Sequence, residues 1–297
     1  AYVLRRKPPG KLLPSAHAVD REFKVISALH AQDFPVAKPH VLCADESVVG
    51  TMFYVMDFVD GRVIWNPHVP DVSREERTAI FDALNATIAQ LHMIDVEASG
   101  LGDFGRPEGY VARQIKRWSE QYQASIDRTV PEMDNLIAWL PGACPPDNPP
   151  TIVHGDFRLD NVILHPSEPK ILAVLDWELC TRGDPIADFT YHMMQWHMPP
   201  SDGVAGVGSL AGHDLDALGI PSAEGYAEAY CLRTGRDSIP NFDFYLAYNF
   251  FRLAAIYQGI IGRVRDGTAA NENAPALEAL VEPLAKVAWG YARRGGA

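Results

Sequence analysis

Ionisable and amide side chains are concentrated in residues 152–164, IVHGDFRLDNVIL, between runs of apolar β-forming residues. Asp156 follows the first apolar run, Asn161 stands where the second begins, and Asp176 ends a third run, KILAVLDW. Two carboxylates and an amide on neighbouring strand ends offer the hard oxygen atoms that Mg²⁺ accepts alongside phosphate oxygens and water. The spacing therefore predicts a phosphoryl-transfer site in which Asp156 positions the attacking hydroxyl while Asn161 and Asp176 hold the metal.

The elements that must position these residues follow from local patterns. Three short strands are predicted at TIVHGD, NVILH and KILAVLDW, with the tight loops FRLD and PSEP between them. Upstream, an apolar stripe at three- and four-residue steps predicts a helix from Val19, with Glu22 beside the stripe. Another helix is predicted over residues 73–91, where Ser73 is the N-cap and Glu76 completes a capping box.

The rest of the chain divides into a β-rich beginning and a helical end. Strands are predicted at AYVLRRK, HVLCADE and TMFYVMDFV, and the last two are separated by a turn at SVVG. Beyond Trp177 the patterns are mostly helical, with a long helix over residues 242–266 and a final helix that Pro283 is expected to kink or break. The prediction is an α+β fold with a small β-rich part, residues 1–60, and a larger, mainly helical part, residues 61–297.

Composition and charge limit the classes of function. The 297-residue chain is 47% hydrophobic, which allows a sizeable core, and its net charge of −12 disfavours a nucleic-acid partner, because phosphate neutralisation needs surplus Lys and Arg. Its longest apolar runs are too short to span a membrane, and no basic-then-apolar leader opens it. Four cysteines without a C-x-x-C pair indicate neither a zinc site nor a disulfide framework. A cytoplasmic protein without a membrane partner is expected.

The double motif HGDFRLDN and LDWE resembles the catalytic loop and metal-binding segment of the aminoglycoside phosphotransferase and choline kinase family, relatives of the protein kinases. His154, Asp156 and Asn161 match the H-R-D-x-x-x-x-N spacing of protein kinases, and Asp176 stands where the D-F-G aspartate appears. The segment GDPIADFTYHM resembles the family's next motif, in which Asp188 would support the catalytic loop. The resemblance implies a bilobal protein-kinase-like fold and an enzyme that uses ATP and Mg²⁺ to phosphorylate a hydroxyl of a small molecule.

The same resemblance implies a nucleotide-binding role for residues near the beginning of the chain. Arg5, in YVLR, looks like the counterpart of the strand lysine that grips the nucleotide phosphates, with Glu22 as its partner on the following helix. An arginine here would bind phosphate as a planar fork instead of a compact charge. Arg6 and Lys11 are the alternatives to Arg5.

A hinge between the two lobes is implied at MDFVDG. Met56, Asp57 and Phe58 fall where the family receives adenine through backbone groups. The two strands and the glycine-rich loop that the family carries upstream of YVLR are absent from the sequence. The chain is therefore expected either to be truncated at its N-terminus or to bind nucleotide without that cover.

Other polar residues of the motif admit more than one role. Arg158 could be a solvated loop residue, or it could be catalytic by steadying the transferred phosphoryl group. His154 and Asp184 are expected to support the structure. Asp160 could be a spectator, and Glu178 either a spectator or a further metal ligand.

The predicted long helix carries the candidate acceptor-binding residues. Arg252 and Arg263 share one of its faces, and NFFRLAAIYQGI resembles the phosphotransferase-like domain fused to acyl-CoA dehydrogenases and its free-standing bacterial relatives. Arginines facing the cleft favour an anionic acceptor such as a hydroxyacyl-CoA; alternatively, both pair with local carboxylates. An aminoglycoside or choline-type kinase and a catalytically silent kinase-like binding module are the other functions considered, and either a monomer or a homodimer is expected.

Overall fold

The structure is a computed structural model that describes residues 1–7, 18–199, 208–268 and 273–297. Its N-terminal elements are β1 (Tyr2–Arg6), α1 (Val19–His30), β2 (Pro39–Cys43) and β3 (Phe53–Asp57). They are followed by α2 (Arg74–His92), α3 (Tyr110–Ser125), α4 (Pro131–Ala143), β4 (Thr151–Val153), β5 (Val162–Leu164), β6 (Ile171–Val174), β7 (Thr181–Gly183) and α5 (Pro185–Met193). The remaining elements are α6 (Leu215–Leu218), α7 (Ala223–Thr234), α8 (Phe242–Arg265) and α9 (Ala274–Arg294).

The first three strands form an antiparallel sheet in the order β1-β3-β2, in which Arg5 lies opposite Tyr54. Helix α1 forms because its apolar stripe can be buried, and Val19 and Leu29 of that stripe are fully inaccessible to solvent. Glu22, beside the stripe, is buried with it. The sheet and α1 thus bring a strand arginine and a helix glutamate together.

The predicted strands of the larger part belong to two separate pairs. β5 and β6 form one antiparallel pair, and β4 pairs with β7, Thr181–Gly183, a strand that the sequence pattern does not predict. A strand of three residues is too short for apolar alternation to be recognised, and only its partner β4 shows that it is a strand. The polar residues 154–161 therefore connect two separate strand pairs.

Helices α8 and α9 pack side by side and form much of the helical core. Of the kink or break predicted at Pro283, the break is wrong, since α9 runs unbroken from Ala274 to Arg294; the kink stays a prediction. Proline removes one hydrogen bond to the preceding turn, yet buried residues on both sides of it, such as Val281 and Leu284, keep the helix packed. None of the helices in the described ranges combines the length and apolar composition that crossing a bilayer requires.

Helix α2 begins as predicted at Ser73, whose side-chain oxygen accepts a hydrogen bond from the backbone N–H of Glu76 at 3.1 Å. The reciprocal half of the predicted capping box is replaced, because the Glu76 carboxylate accepts a 2.9 Å hydrogen bond from Arg62 instead. This ion pair fastens the start of α2 to the connection between the two parts of the fold.

That connection packs directly on β5. Arg62 and Leu164 exchange two backbone hydrogen bonds of 2.8 Å, and a Cβ on Gly61 would collide with the carbonyl oxygen of Leu164. The predicted boundary at residue 60 immediately precedes this contact. A second link joins the two parts across the cleft, where the N–H of Val174 donates to the carbonyl of Pro35 at 2.8 Å.

Candidate active site

The loop after β4 bends sharply at Gly155. Its φ is +84°, and an added Cβ would come within 3.0 Å of the carbonyl oxygen of Leu179, so glycine suits this position on both counts. The backbone N–H groups of His154 and Gly155 both donate to the carboxylate of Asp188 at 2.8 Å. The carbonyl of Gly155 accepts a 2.6 Å hydrogen bond from Arg252. Buried charged side chains therefore hold this loop through both its donors and its acceptor.

Asp188 is itself held by a histidine on α2. Nε2 of His92 lies 3.1 Å from Asp188 Oδ2, and Nδ1 of His92 lies 2.7 Å from the hydroxyl of Tyr230. Burial alone would raise the pKa of Asp188, but the hydrogen bonds from His92 and from the backbone of His154 hold it below its ordinary value. Asp188 thus remains an ionised carboxylate that can accept hydrogen bonds from the backbone of the loop. The supporting role expected for Asp188 requires this.

His154 links the loop to the strand that leads to Asp176. Its Nδ1 accepts a hydrogen bond from the backbone N–H of Asp156 at 3.2 Å, so in the neutral ring Nε2 donates to the carbonyl of Leu175 at 2.7 Å. Its ring also packs edge-on against Trp177, with centroids 4.7 Å apart. These contacts agree with a structural role and bring the two aspartates to the same end of the cleft.

The two carboxylate oxygens of Asp156 are held by different elements. Oδ1 accepts a 2.6 Å hydrogen bond from the hydroxyl of Tyr191 on α5, and Oδ2 lies 3.2 Å from Nδ2 of Asn161. Nε of Arg158 is 3.4 Å from Oδ1. The sequence does not single out Tyr191; its one signal is that it follows Asp188 by three residues, which places both on one face of α5.

Asn161 and Asp176 are brought together by backbone pairing. β5 and β6 are antiparallel neighbours, and the N–H of Leu175 donates to the carbonyl of Asn161 at 2.8 Å. Nδ2 of Asn161 donates to the backbone carbonyl of Asp156 at 2.8 Å, so the amide nitrogen faces the loop. Asp176 lies two residues beyond β6 and adopts a φ of +63°, a left-handed conformation that turns the chain away from the strand direction. The three residues predicted for phosphoryl transfer therefore lie at one end of the β5–β6 pair.

Negative charge accumulates at this end. Burial, and then repulsion from Asp156, raises the pKa of Asp176. Over the ranges that the structure describes, no group of three or more His, Cys, Asp and Glu side chains is arranged to hold a metal ion. An ion here would draw the carboxylate of Asp176 and the amide oxygen of Asn161 from the protein, and phosphate oxygens and water would supply the rest. That donor chemistry fits Mg²⁺, which keeps several non-protein oxygen ligands.

Arg158 lies between two carboxylates. Its guanidinium is 2.9 Å from Asp160 Oδ2 and 3.4 Å from Asp156 Oδ1. The side chain of Asp160 is 9% exposed, and burial raises its pKa in spite of the neighbouring arginine. This position favours an ordered role for Arg158 beside Asp156 over a solvated loop residue, and it gives Asp160 the role of holding Arg158.

A cavity of about 230 Å³ opens between the two parts of the fold beside Asp176. The sheet and α1 form one wall, and the end of β6 forms the other. The lining residues are Arg5, Glu22, Ile26, Ala37, Tyr54, Met56, Val174, Leu175, Asp176 and Trp177. A mostly apolar cleft with charged groups at one end can take an aromatic base together with phosphates.

Arg5 and Glu22 meet in a forked ion pair at the edge of this cavity. Nε and NH2 of Arg5 lie 3.1 and 3.2 Å from the two carboxylate oxygens of Glu22, which also accepts a 3.2 Å hydrogen bond from the hydroxyl of Tyr54. The hydrogen bond to Glu22 raises the pKa of Arg5 against the effect of burial. Glu178, considered as a further metal ligand, lies 3.9 Å from Arg5 on this side of the cavity.

The alternatives to Arg5 are less well placed. Arg6, the next residue of β1, is exposed, because successive side chains of a strand point to opposite faces. Lys11 lies outside the described residues. Arg5 is thus the residue of this strand whose cation lies at the cavity.

The three predicted hinge residues differ in their surroundings. Met56 lines the cavity, whereas the carboxylate of Asp57 lies 2.7 Å from Nε2 of His40 and the ring of Phe58 is 54% exposed. The backbone N–H groups of Asp57 and Phe58 already donate to other carbonyls, at 2.9 and 3.1 Å. Met56 is therefore the hinge residue best placed to contact a base.

Arg252 does not lie where the sequence analysis places it. Its side chain is 6% exposed, its NH2 donates to Gly155, and its guanidinium carbon lies 4.7 Å from the ring centroid of Tyr191. The face of α8 that carries Arg252 packs against α5 and α3, so this arginine lies beneath the loop and not on the cleft surface. Arg263, eleven residues later, is partly exposed.

Comparison with known proteins agrees with this geometry. A family model described as the phosphotransferase enzyme family matches residues 1–239. The chain is 42% identical over 294 residues to acyl-CoA dehydrogenase family member 10 of Mus musculus, and 43% identical over 296 residues to family member 11 of Rattus norvegicus. Both matches cover 99% of this chain but only 27% and 38% of the two relatives, so it spans roughly a quarter to two fifths of their length.

A solved structure from Ralstonia eutropha, named a "putative aminoglycoside phosphotransferase", superposes with a TM-score of 0.89 and 46% identity over 99% of this chain and 86% of that one. The fold implied by the HGDFRLDN and LDWE motifs is thereby confirmed. It is a bilobal, kinase-like fold in which a small sheet part precedes a larger helical part.

Proposed function

Since the chain belongs to the phosphotransferase enzyme family, we propose that it transfers the γ-phosphoryl group of a nucleoside triphosphate to a hydroxyl of a small molecule. The observation that carries this proposal is that Asp156, Asn161 and Asp176 meet at the end of a cavity whose opposite wall holds Arg5. Phosphoryl transfer requires a positioned hydroxyl, oxygen ligands for a metal and a cation on the phosphates. These residues offer each of the three.

In the proposed reaction Asp156 orients the acceptor hydroxyl in line with the γ-phosphorus and takes its proton as the new O–P bond forms. The bond from the γ-phosphorus to the bridging oxygen breaks, and the electron pair remains on the leaving diphosphate. Arg5, held in place by Glu22, faces the phosphates from the other wall. Mg²⁺ held by Asn161 and Asp176 would neutralise phosphate charge. Arg158, 3.4 Å from Asp156, can steady the group in transfer.

ATP is the nucleotide that we propose. The side chains of Met56 and Ile26, which line the cavity, offer the apolar contact that a purine requires, and neither distinguishes adenine from guanine. Both ATP and GTP therefore belong in the assay.

For the acceptor we propose an anionic hydroxy compound of the acyl-CoA type. The support is that two relatives whose matches cover 99% of this chain are named acyl-CoA dehydrogenase family members. Arg252 gives no support, because its guanidinium is buried against the carbonyl of Gly155. Of the two arginines predicted on the long helix, Arg263 is the one whose side chain is partly exposed.

The test is transfer of labelled phosphate from ATP or GTP, with Mg²⁺, to a library that contains hydroxyacyl-CoA thioesters, free hydroxy acids, choline and kanamycin-like sugars. Asp156→Asn is the matched blank. We expect Mg²⁺-dependent labelling of a hydroxyacyl-CoA by the parent chain and none by the variant. Labelling of an aminoglycoside or of choline instead would overturn the acceptor class, and binding of Mg-ATP without transfer or hydrolysis would identify a silent binding module.

A further inference from the structure

The hydroxyl of Tyr191 makes a short hydrogen bond to the carboxylate of Asp156, 2.6 Å from Oδ1, and the tyrosine side chain is 5% exposed. Hydrogen bonds to an ionised carboxylate are shorter and stronger than those between neutral groups. Burial raises the pKa of Tyr191 well above its ordinary value, so the hydroxyl remains a donor at neutral pH. The contact therefore constrains the carboxylate under the conditions in which the protein would work.

Tyr191 is itself held rigidly. The guanidinium carbon of Arg252 lies 4.7 Å from its ring centroid, while the same guanidinium donates to the carbonyl of Gly155. Asp188, one turn earlier on α5, accepts hydrogen bonds from two N–H groups of the loop. One face of α5 thus fixes both the backbone of the loop and the side chain of Asp156.

The two oxygens of Asp156 are not held equally. The bond from Tyr191 to Oδ1 is 2.6 Å, whereas Nδ2 of Asn161 lies 3.2 Å from Oδ2 and also donates to the backbone carbonyl of Asp156. Oδ2 is therefore the oxygen that can more easily exchange its present hydrogen bond for one from a new donor. A hydroxyl arriving from the cleft can replace the longer contact without disturbing the shorter one.

We infer that Tyr191 is a positioning residue for phosphoryl transfer: its hydroxyl fixes Oδ1 of Asp156 and so turns Oδ2 toward the acceptor hydroxyl. The inference rests on the proposed function, because it assigns to Asp156 the orientation of that hydroxyl. It adds a residue on α5, outside the HGDFRLDN and LDWE motifs, that determines the orientation of the reactive carboxylate. Small errors in such an orientation are costly in rate, since reacting atoms must be held close to the geometry of transfer.

The test compares Tyr191→Phe with Tyr245→Phe. Both changes remove a buried phenol that donates to an aspartate, at 2.6 Å to Asp156 and at 2.7 Å to Asp184 respectively, and both keep the ring. Turnover is measured as Mg²⁺-dependent release of phosphate from ATP to water, which needs no identified acceptor. We expect Tyr191→Phe to lower kcat by about ten- to a hundredfold with KM for ATP changed less than about twofold, and Tyr245→Phe to change neither by more than about twofold.

A double-mutant cycle with Asp156→Asn shows whether Tyr191 acts through Asp156. If it does, Tyr191→Phe lowers kcat in the parent chain but has almost no further effect once Asp156 is replaced, because the two changes remove the same function. Equal effects of Tyr191→Phe in both backgrounds would overturn the inference, as would an equal loss of kcat in Tyr245→Phe.

Two further outcomes remain interpretable. If Tyr191→Phe does not fold, a ring-fluorinated tyrosine at position 191 keeps the ring and the hydroxyl but changes its donor strength; an unchanged kcat in that variant would overturn the inference. If the parent chain turns over no Mg-ATP with water or with any acceptor, the proposed function fails and the inference fails with it. If the parent chain turns over ATP normally, and Asp156→Asn abolishes this turnover while Tyr191→Phe does not, the proposed function stands. Only the role of Tyr191 is then refuted.

Discussion

Arg5 and Glu22 form their forked ion pair across the edge of the cavity with the glutamate side chain only 4% exposed. The hydroxyl of Tyr54 adds a third contact to the same carboxylate. A cation held in this way presents the rest of its guanidinium to the cavity in a fixed direction. Binding of phosphates then requires little rearrangement of this wall.

Replacing Arg5 with lysine tests whether that fixed direction matters. A lysine keeps the positive charge but loses the planar fork, so it cannot bind both oxygens of Glu22 and a phosphate at once. We expect Arg5→Lys to weaken ATP binding about tenfold, which corresponds to about 1.4 kcal/mol, with a smaller effect on kcat. Isothermal titration of ATP measures this change. Arg6→Lys, on the exposed neighbour, is the matched control, and an equal loss in both variants would contradict a specific role for Arg5.

Asp156→Asn tests the residue that orients the hydroxyl. The amide has nearly the same shape but cannot take a proton, so we expect turnover to fall by about two to four orders of magnitude. ATP affinity and the melting temperature should stay close to those of the parent chain, because Asp156 is half-buried and not part of the core. Full turnover by the purified variant would remove Asp156 from the mechanism.

Asp176→Ala tests the metal ligand. Without this carboxylate the amide of Asn161 cannot balance the charge of Mg²⁺, so we expect ATP to lose its Mg²⁺-dependent stabilisation of the protein. Thermal denaturation with ATP, with and without Mg²⁺, measures the effect. Asp103→Ala, at an exposed carboxylate paired with Lys24, should keep the full shift. An unchanged Mg²⁺-dependent shift in Asp176→Ala would show that Asp176 holds no ion.

His192 makes stability depend on pH. It is fully buried behind the loop, and burial lowers its pKa to about 4 from an ordinary 6.5. As the pH falls below 6.5, His192 takes up a proton in the unfolded chain, whereas in the folded protein it takes one up only near pH 4. The free energy of unfolding should therefore be fully maintained above pH 6.5 and fall between pH 6.5 and 4, by about 3 kcal/mol for this one group.

Urea denaturation at several pH values measures this slope. His192→Gln should lower stability at neutral pH, because the ring lies 2.7 Å from the hydroxyl of Tyr226, but it should also flatten the slope. His30→Gln, at an exposed histidine, should leave the slope unchanged. An equal slope in the parent and in His192→Gln would assign the acid lability to other groups.

Arg252 and Arg263 offer a paired test of burial against exposure on one helix. Arg252→Met removes the 2.6 Å hydrogen bond to the carbonyl of Gly155 and leaves that carbonyl without its charged donor, so we expect a loss of about 2 to 3 kcal/mol of stability together with lower turnover. Arg263→Met should change stability by less than about 0.5 kcal/mol, since its side chain is partly exposed. Chemical denaturation measures the free energy of unfolding of both variants against the parent chain. Equal stability of the two would place Arg252 on the surface.

The sequence predicts well the part of the site that is local. Asp156, Asn161 and Asp176 stand at the ends of short apolar runs, and antiparallel pairing of β5 with β6 leaves little freedom in where these ends lie. Arg5 and Glu22 are separated by sixteen residues, but a strand followed by an amphipathic helix restricts their relation almost as strongly. In both cases a periodic pattern and a short connection fix the geometry.

The rest of the site depends on contacts between distant segments. Helix α8 is buried around most of its circumference, so its apolar pattern cannot tell which face meets the cleft, and Arg252 is misplaced for that reason. Tyr191 acts through packing of α5 against a loop 35 residues earlier, and β7 is a strand only because β4 lies beside it. Such features arise from tertiary packing and leave no periodic signal in the chain.

The tight approach of Gly61 to Leu164 also bears on how nucleotide could leave. On that side, two backbone hydrogen bonds and the pair of Arg62 with Glu76 fasten the connecting chain to the larger lobe, whereas on the other side one backbone hydrogen bond joins Pro35 to Val174. Opening on that side would break this hydrogen bond, the ion pair of Lys24 with Asp103 and the ring contact of Phe34 with Trp177, while the connecting chain would stay bound to the larger lobe. We therefore expect the lobes to pivot about the chain just before residue 61. Release of the nucleoside diphosphate would then follow rotation of the small lobe about the connecting chain. This rotation would move Arg5 away from Asp176.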